Sequence, residues 1–201
     1  MKRISLSIVF SFLMLSNLIA QYSTVHYMPP IYNGASSSTD DPDEIRLELS
    51  TMVTSSFNVS LRRYDGSVFM TKSISKTNPV STGLSVGWST ASLYADAHGT
   101  SDQNKGIYLT ASSPFYVRVD IRGGDQMGSI ASKGAAGMGK EFFSAHFYQT
   151  SSSYRSNSTY SSFISIMGTE NNTTVTITPH SGLYWSGDPS SNTITLNKGY
   201  S

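Results

Sequence analysis

Short segments in which apolar and polar side chains alternate recur along this chain, and that pattern limits its fold more than any other feature. A period of two residues places the apolar side chains on one face of a β-strand. Beyond the N-terminal segment, no stretch of the chain has the 3.6-residue apolar stripe of an amphipathic helix. We therefore predict an all-β protein made of antiparallel, sandwich-like modules in tandem. The predicted strands cover 45–49, 57–61, 67–70, 106–109, 115–121, 141–147, 162–167, 173–178 and 192–196.

A turn signal lies between two of these strands. Asp65 and Gly66 form an Asp-Gly pair, which tolerates the positive φ that tight turns require. The segments 57–61 and 67–70 are therefore predicted to form a β-hairpin.

The N-terminal segment has the three parts of a secretory signal peptide. Lys2 and Arg3 supply positive charge, an apolar run follows, and the small residue Ala20 precedes Gln21. The apolar run is shorter than the about 20 residues that a membrane-spanning helix needs. We therefore predict that residues 1–20 form a signal-peptide helix that is cleaved after Ala20. The mature chain is then secreted or held at the cell surface, and it meets the membrane only during export. An uncleaved anchor is the alternative.

Charge and cysteine content exclude several classes of function. Loss of Lys2 and Arg3 reduces the 14 basic residues of the chain to 12, against 13 acidic ones. A chain so close to neutral lacks the basic surface that binds nucleic acid, and no nucleic-acid partner is predicted. The chain contains no cysteine, so an exported form must be held together by core packing without disulfides.

The chain matches itself at a shift of 116 positions. The shift superposes Val59 on Val175, Leu61 on Ile177, Gly66 on Gly182 and Gly83 on Gly199. Two copies of one unit are predicted, a first β module over 21–132 and the start of a second over 133–201. The predicted strands at 106–109 and 115–121 have no counterpart in the second copy. Because natural proteins avoid unpaired sheet edges, we expect the chain to be a fragment of a longer protein. Chance similarity between generic strands is the alternative.

Four segments in the second half of the chain resemble a known family. They are Gly139-Lys140-Glu141-Phe142-Phe143, Phe163-Ile164-Ser165-Ile166, Thr169-Glu170-Asn171-Asn172-Thr173-Thr174-Val175-Thr176-Ile177 and Ile194-Thr195-Leu196-Asn197-Lys198-Gly199-Tyr200. Over roughly residues 106–201, the chain resembles the N-terminal domain of IgGFc-binding-type proteins. The resemblance implies an exported, β-rich binding or adhesion module of a large secreted bacterial surface protein, of the Bacteroidetes type associated with adhesion and gliding. It implies no catalytic residues, and immunoglobulin binding does not follow for a bacterial relative.

Residues 134–140 have the glycine spacing of a phosphate-binding loop. The next residue is Glu141, where that chemistry needs Ser or Thr to hold magnesium. Phosphate binding also needs a helix to begin at the loop, whereas the segment that follows has strand character. A junction between the two modules is therefore predicted, and no nucleotide partner.

Four carboxylates, those of Asp40, Asp41, Asp43 and Glu44, cluster before the first strong strand. Clustered hard oxygens are the ligands that calcium prefers, so these residues are the weak candidates for a metal site. Their spacing matches no defined calcium loop, and Pro42 limits their convergence. A solvated acidic turn is favoured, and no other cofactor is predicted.

Patterns typical of catalysis are weak. The four histidines, His26, His98, His146 and His180, are scattered along the chain. His98 has two aspartates nearby, which is compatible with a metal site or a catalytic base. A position in a polar loop is a sufficient explanation for this grouping. No Gly-x-Ser-x-Gly elbow frames a serine nucleophile. No catalytic residue is assigned and the chain is predicted not to be an enzyme; a catalytic domain beyond Ser201 is the alternative.

Together these patterns predict a non-catalytic, exported cell-surface module for adhesion or binding. Polar, turn-rich loops at 148–161 and 181–191 are predicted to contact an extracellular protein or glycan. Six tyrosines offer faces on which sugars stack, although tyrosine is more usual at sheet edges and in cores. They are Tyr22, Tyr27, Tyr32, Tyr148, Tyr154 and Tyr160. The alternative is an accessory or carbohydrate-binding module of an exported carbohydrate-active enzyme, with paired acidic residues in a downstream domain.

Overall fold

The structure is a computed structural model, and it describes residues 21–32, 44–84, 94–95, 105–123, 126–144, 164–178 and 192–201. Within these ranges the chain forms strands and one short 3-10 turn, which confirms the all-β prediction. The elements are β1 (Ser23–Met28), β2 (Ile31–Tyr32), β3 (Glu44–Ser50), β4 (Phe57–Arg62), β5 (Val68–Ile74), β6 (Val80–Leu84), β7 (Tyr94–Ala95), β8 (Ile107–Gly123), β9 (Gln126–Ala131), the 3-10 turn Gly134–Gly137, β10 (Thr173–Ile177) and β11 (Asn192–Leu196).

The strand β8 organises the main sheet. Its 17 residues pair antiparallel with four other strands, β1 and β4 along the first half and β3 and β9 along the second. Beyond β4 the sheet continues with β5, and beyond β3 with β6. Seven strands therefore form one sheet around a single long strand.

One apolar core lies beneath this sheet. Alternation along β3 buries Ile45, Leu47 and Leu49, and the register places Leu47 opposite Val119 of β8. From β4 the core receives Val59 and Leu61, and from β8 it receives Ile107, Leu109, Phe115, Val117 and Val119. Because these residues come from strands far apart in the sequence, burial of their side chains joins the sheet into one unit.

The outer face of β3 and β8 carries alternating charges. The register places Glu44 opposite Arg122, Arg46 opposite Asp120, and Glu48 opposite Arg118. Each cross-strand pair thus combines opposite charges, an arrangement that stabilises antiparallel sheets modestly. This face is a solvated surface of the sheet, and the apolar face lies on the other side.

The predicted Asp-Gly turn is confirmed between β4 and β5. Gly66 has a φ of 87°, and its N–H donates to the Arg63 carbonyl at 3.0 Å. The Asp65 carboxylate accepts hydrogen bonds from the backbone N–H and the hydroxyl of Ser67, at 2.9 and 2.6 Å. These bonds hold the pKa of Asp65 below its usual value.

Several strand predictions were wrong in detail. The separate strands predicted at 106–109 and 115–121 form one strand, β8, which passes Pro114 where its pairing with β1 is irregular. Proline is tolerated at such irregularities because it has no N–H to donate. Residues 141–144 and 164–167, the described parts of two other predicted strands, are not in strands.

Two small sheets complete the described structure. β10 pairs antiparallel with β11, and both segments were predicted as strands. β2 pairs in parallel with β7 over two residues, so the antiparallel expectation does not extend to this pair. The predicted signal peptide lies outside the described residues, and the division into modules at residue 132 stays a prediction.

Candidate functional site

The two longer segments that carry the family resemblance meet in the structure at one end of the β10–β11 hairpin. The Asn171 side-chain oxygen accepts a hydrogen bond from the Lys198 backbone N–H at 3.2 Å. In return, the Asn197 side-chain oxygen accepts from the Asn172 N–H at 3.1 Å. Asn172 has a positive φ of 56°, a conformation that asparagine tolerates better than most residues. This reciprocal pair of bonds, the asparagine clamp, fixes the turn at 169–172 against the turn at 197–200.

Glycine allows the clamped hairpin to lie directly on the main sheet. Gly199 has a φ of 85°, and a Cβ at this position would collide with the Tyr64 carbonyl at the β4–β5 turn. The Gly199 N–H donates to the Gly168 carbonyl, and the Gly168 N–H to the Tyr200 carbonyl, both at 2.8 Å. A third glycine, Gly106, takes a φ of 85° where Met167 approaches it closely. Close backbone approach of this kind requires residues without a side chain.

Four tyrosines fill the contact between the hairpin and the sheet. The rings of Tyr27 and Tyr108 stack with centroids 5.6 Å apart, and the Lys198 ammonium lies 5.8 Å from the Tyr108 centroid. Tyr64 and Tyr200 meet edge to face at 5.0 Å. Aromatic pairs at such separations add to the free energy of area burial. We call Tyr27, Tyr64, Tyr108 and Tyr200 the tyrosine cluster.

The tyrosine cluster is a packing contact between the hairpin and the sheet. Burial raises the pKa of the Tyr27 hydroxyl, with smaller contributions from Tyr108 and Glu170. That hydroxyl donates a long hydrogen bond of 3.5 Å to the Thr169 carbonyl. A phenol with a raised pKa stays protonated at neutral pH, so Tyr27 acts here as a donor to backbone. The described part of the hairpin is thereby ordered on the sheet.

Exposed apolar side chains follow the main sheet, in the segment that leads towards the hairpin. Phe142 is 70% exposed and Phe143 is 94% exposed, and the nearby Met138 is also exposed. Phenylalanine is usually buried, and adjacent exposed aromatic side chains are typical of interaction surfaces. These two residues end the first of the resembling segments, 139–143, and they form the candidate binding surface of the described chain.

The histidine that the structure describes, His26, belongs to the core. Its Nε2–H donates to the Phe115 carbonyl at 2.9 Å, and its Nδ1 lies 3.0 Å from the Ser132 hydroxyl, which therefore donates to it. The Ser132 oxygen also accepts from the Gly134 N–H at 3.2 Å. Burial lowers the pKa of His26, although hydrogen bonds to the Phe115 and Ser23 backbone oppose the shift. His26 is therefore a neutral structural residue at the junction of β1 and the segment after β9.

Of the weak metal candidates the structure describes Glu44 alone, whereas it describes the whole phosphate-loop pattern, for which no nucleotide was predicted. Glu44 forms an ion pair with Arg46, while Asp40, Asp41 and Asp43 lie outside the described ranges. Among residues that the structure describes, no group of acidic or histidine side chains is placed to hold a metal ion. The glycines of the phosphate-loop pattern lie in a single 3-10 turn, and no helix follows through residue 144.

The remaining sequence-based candidates are partly described. Gln21, the predicted first residue of the mature chain, is half-buried in a turn before β1, whereas Ala20 lies outside the described residues. The predicted binding loops at 148–161 and 181–191, and His98, His146 and His180, lie outside as well. The hydroxyl of Tyr22 lies 3.1 Å from that of Thr51, and the ring of Tyr22 packs on Tyr116 at 4.8 Å. Both contacts favour a structural role for this tyrosine.

Comparison with known proteins gives one match. A model of the family described as IgGFc binding protein matches residues 127–201, from β9 of the main sheet through the clamped hairpin. Comparison with curated proteins and with solved structures finds no match. The match supports the resemblance predicted from the sequence over the C-terminal part of the chain. The family is described as binding rather than catalytic, which is compatible with a non-enzymatic role.

Sequence reasoning missed most of the tyrosine cluster. Of its four members only Tyr27 was among the tyrosines singled out from the sequence, because Tyr64, Tyr108 and Tyr200 lie in segments that look like ordinary strands and turns. The Gly199 position was a usable signal, since glycine after a strand and before an aromatic residue suggests close backbone approach.

In the part of the chain that the structure describes, no helix is both long and apolar enough to cross a membrane.

Proposed function

We propose that the chain is a non-catalytic binding module of an exported cell-surface protein, and that its ligand is an extracellular protein. The observation that carries the proposal is the match of residues 127–201 to a family described as IgGFc binding protein. In the finer form of the proposal, the module belongs to a large secreted bacterial adhesion protein, of the Bacteroidetes type, with tandem β modules.

The exposed pair Phe142 and Phe143 supports a protein ligand. Both side chains lie within the matched region and are mostly exposed. Aromatic residues are enriched at protein interfaces, where each buries a large apolar area when the partner covers it. Few residues supply most of the binding free energy in such interfaces. Phe142 and Phe143 are therefore the residues that we expect to anchor the ligand.

Binding of the purified mature chain to immobilised proteins tests the proposal. Suitable probes are an enzymatically deglycosylated immunoglobulin Fc fragment and deglycosylated fibronectin, measured on a biosensor over a concentration series. We expect saturable binding to at least one probe, weakened at least about tenfold when both phenylalanines are replaced by serine. Met52→Ser is the matched control, because Met52 is also exposed, at 60%, but lies outside the matched region.

One outcome would contradict the proposed interface, and another would contradict a protein ligand. Binding that is unaffected by Phe142→Ser and Phe143→Ser together would remove these residues from the interface. Saturable binding on a glycan array, without binding to any protein probe, would favour the carbohydrate-binding alternative.

Export is tested separately from binding. When the gene is expressed in a bacterium with a general secretory pathway, the protein outside the cytoplasm should begin at Gln21, as read by N-terminal sequencing. Recovery of the intact chain from the membrane fraction would instead support the uncleaved anchor.

A further inference from the structure

Among the residues that the structure describes, none protects the strand β9, an edge of the main sheet, against edge-to-edge pairing. It pairs with β8 on one side in an uninterrupted register, and no described strand pairs with its other side. Its sequence, Gln126–Ala131, contains no charged residue and no proline. Met127 is 80% exposed and Ile130 is 46% exposed. Natural edge strands are normally blocked by lysine, proline, bulges or covering segments.

The other edges of the same sheet carry such protection. β5 includes Lys72, and its pairing with β4 has an irregular register near Arg62. Pro79 directly precedes β6. The 3-10 turn covers β1, where the Ala135 N–H donates to the Ser23 hydroxyl oxygen. β9 is therefore the described edge of this sheet that is left open to a partner strand.

The side chains of β9 are complementary in size to those of a second β9 in the antiparallel direction. Met127, Ser129 and Ala131 share the outer face, because they lie opposite Arg122, Asp120 and Arg118 of β8. Gly128 and Ile130 lie on the core face, opposite Ile121 and Val119.

A two-fold axis at Ser129 would pair large residues with small ones on both faces. It would place Met127 of one copy opposite Ala131 of the other, and Ile130 opposite Gly128. No atom occupies the space that a Cβ of Gly128 would fill, so the opposing Ile130 side chain has room to pack there.

We propose that two copies of the chain associate along β9, antiparallel, with Ser129 of each copy opposite Ser129 of the other. Four strands from each copy, β6, β3, β8 and β9, then form one continuous sheet, a size common in proteins. No like charges meet across the new strand pair, because β9 has none. The contact involves few residues, so the dimer is weak and reversible compared with interfaces of standard size.

Cysteine cross-linking tests the register directly, because the chain has no cysteine of its own. Residues directly opposite in an antiparallel pair have Cα atoms about 4.5–5.5 Å apart, within the range that a disulfide spans. Ser129→Cys should therefore form a covalent dimer under mild oxidation of the full chain. Ser73→Cys is the matched control, since Ser73 is an exposed serine on the protected edge strand β5. Cross-linking of Ser129→Cys no faster than Ser73→Cys would overturn the proposal.

Charge substitutions at the same position give an independent test. Ser129→Lys and Ser129→Glu should each abolish the concentration-dependent dimer seen by sedimentation, because like charges would meet at the two-fold axis. A mixture of the two variants should associate again. Association that is unchanged in either variant, or a wild-type chain that is monomeric at every concentration, would contradict the pairing. A further result would also contradict the pairing. If the thiol of Ser129→Cys were protected from thiol reagents only when a ligand protein is added, the β9 edge would belong to the binding site for that ligand.

Discussion

The main sheet and the clamped hairpin are held by different interactions. The sheet has a continuous apolar core, with Leu47, Val59 and Leu109 inaccessible to solvent. In the hairpin, Leu196 is buried but Val175 and Ile177 are only half-buried, and the contact with the sheet depends on glycines and tyrosine rings. Apolar burial supplies most of the free energy of folding, whereas exposed hydrogen bonds contribute little each. We therefore expect the hairpin to open locally at a lower free-energy cost than the sheet.

This difference suits a binding module. A rigid sheet keeps the β9 edge in a fixed position, while a hairpin that opens locally would allow the surface near it to adjust to a partner. Regions that change on binding are generally drawn from the less stable part of a fold. The following substitutions separate the two regions.

The largest effect is expected at Leu47. Replacement by alanine removes a fully buried side chain from the centre of β3, and it leaves a cavity that the neighbouring strands cannot fill. The free energy of unfolding should fall by about 2–5 kcal/mol, measured by urea denaturation. Val68→Ala, at a position that is 45% exposed, should change it by less than about 0.5 kcal/mol. Equal effects of the two substitutions would show that the core is not centred on β3.

Gly199→Ala should release the hairpin while leaving the sheet folded. A side chain at this position meets the Tyr64 carbonyl and must also adopt a positive φ, at a cost of about 1–3 kcal/mol. Hydrogen exchange should accelerate in 164–178 and 192–201 but not in β3. Gly83→Ala is the control, because a Cβ there meets no atom within 4 Å. If both alanine variants retained full protection of the hairpin, the glycine contact would not determine its docking.

Acidification should destabilise the sheet through His26. The native pKa of His26 lies below its ordinary value of 6.5 because of burial. Between these two pKa values the unfolded chain binds more protons than the native one, so the free energy of unfolding falls as the pH drops below about 6.5. Above that range His26 is neutral in both states and contributes no pH dependence.

The control for this prediction is His26→Gln, which keeps a donor for the Phe115 carbonyl but does not titrate. Urea denaturation from about pH 7.5 to about pH 5 should show a smaller loss of stability in the variant than in the wild type. Identical slopes in the two proteins would mean that His26 does not titrate differently on folding.

The smallest effect is expected on the charged outer face of the sheet. Arg118 and Asp120 form an ion pair at 2.9 Å, with side chains that are 57% and 26% exposed. Exposed pairs typically contribute about 0.2–1 kcal/mol, because water and salt screen them. A double-mutant cycle with Arg118→Ala and Asp120→Ala should give a coupling free energy in that range, decreasing with added salt. A coupling as large as the effect of Leu47→Ala would contradict the view that the core stabilises the sheet.

Strands with one clearly apolar face were predictable, and strands without one were not. β3 was predicted because Ile45, Leu47 and Leu49 alternate with charged residues. β1 was missed because His26, one of its two fully buried side chains, counts as polar in any pattern. β9 was missed because its exposed side chains produce no alternation. The segments 141–144 and 164–167 were predicted as strands but are not strands. Their apolar side chains contact other segments or solvent, and their backbones do not pair with a neighbouring strand.

The candidate site was predictable only through its local motifs. The resemblance marked the exposed phenylalanines and both halves of the asparagine clamp, but not the contact between those halves. Asn171 and Asn197 are far apart in the sequence, and no pattern of spacing shows that the turns they occupy are adjacent.

The sequence by itself determined the strand content, the Asp-Gly turn and the lack of disulfides, because these depend on side-chain period, backbone preference and composition. Tertiary structure alone decided that His26 accepts from Ser132, that Gly199 lies on the Tyr64 carbonyl, and that β9 lies at an edge of the described strands. Each of these depends on which distant segments become neighbours. That choice is made by burial of the whole apolar core and leaves no local trace in the chain.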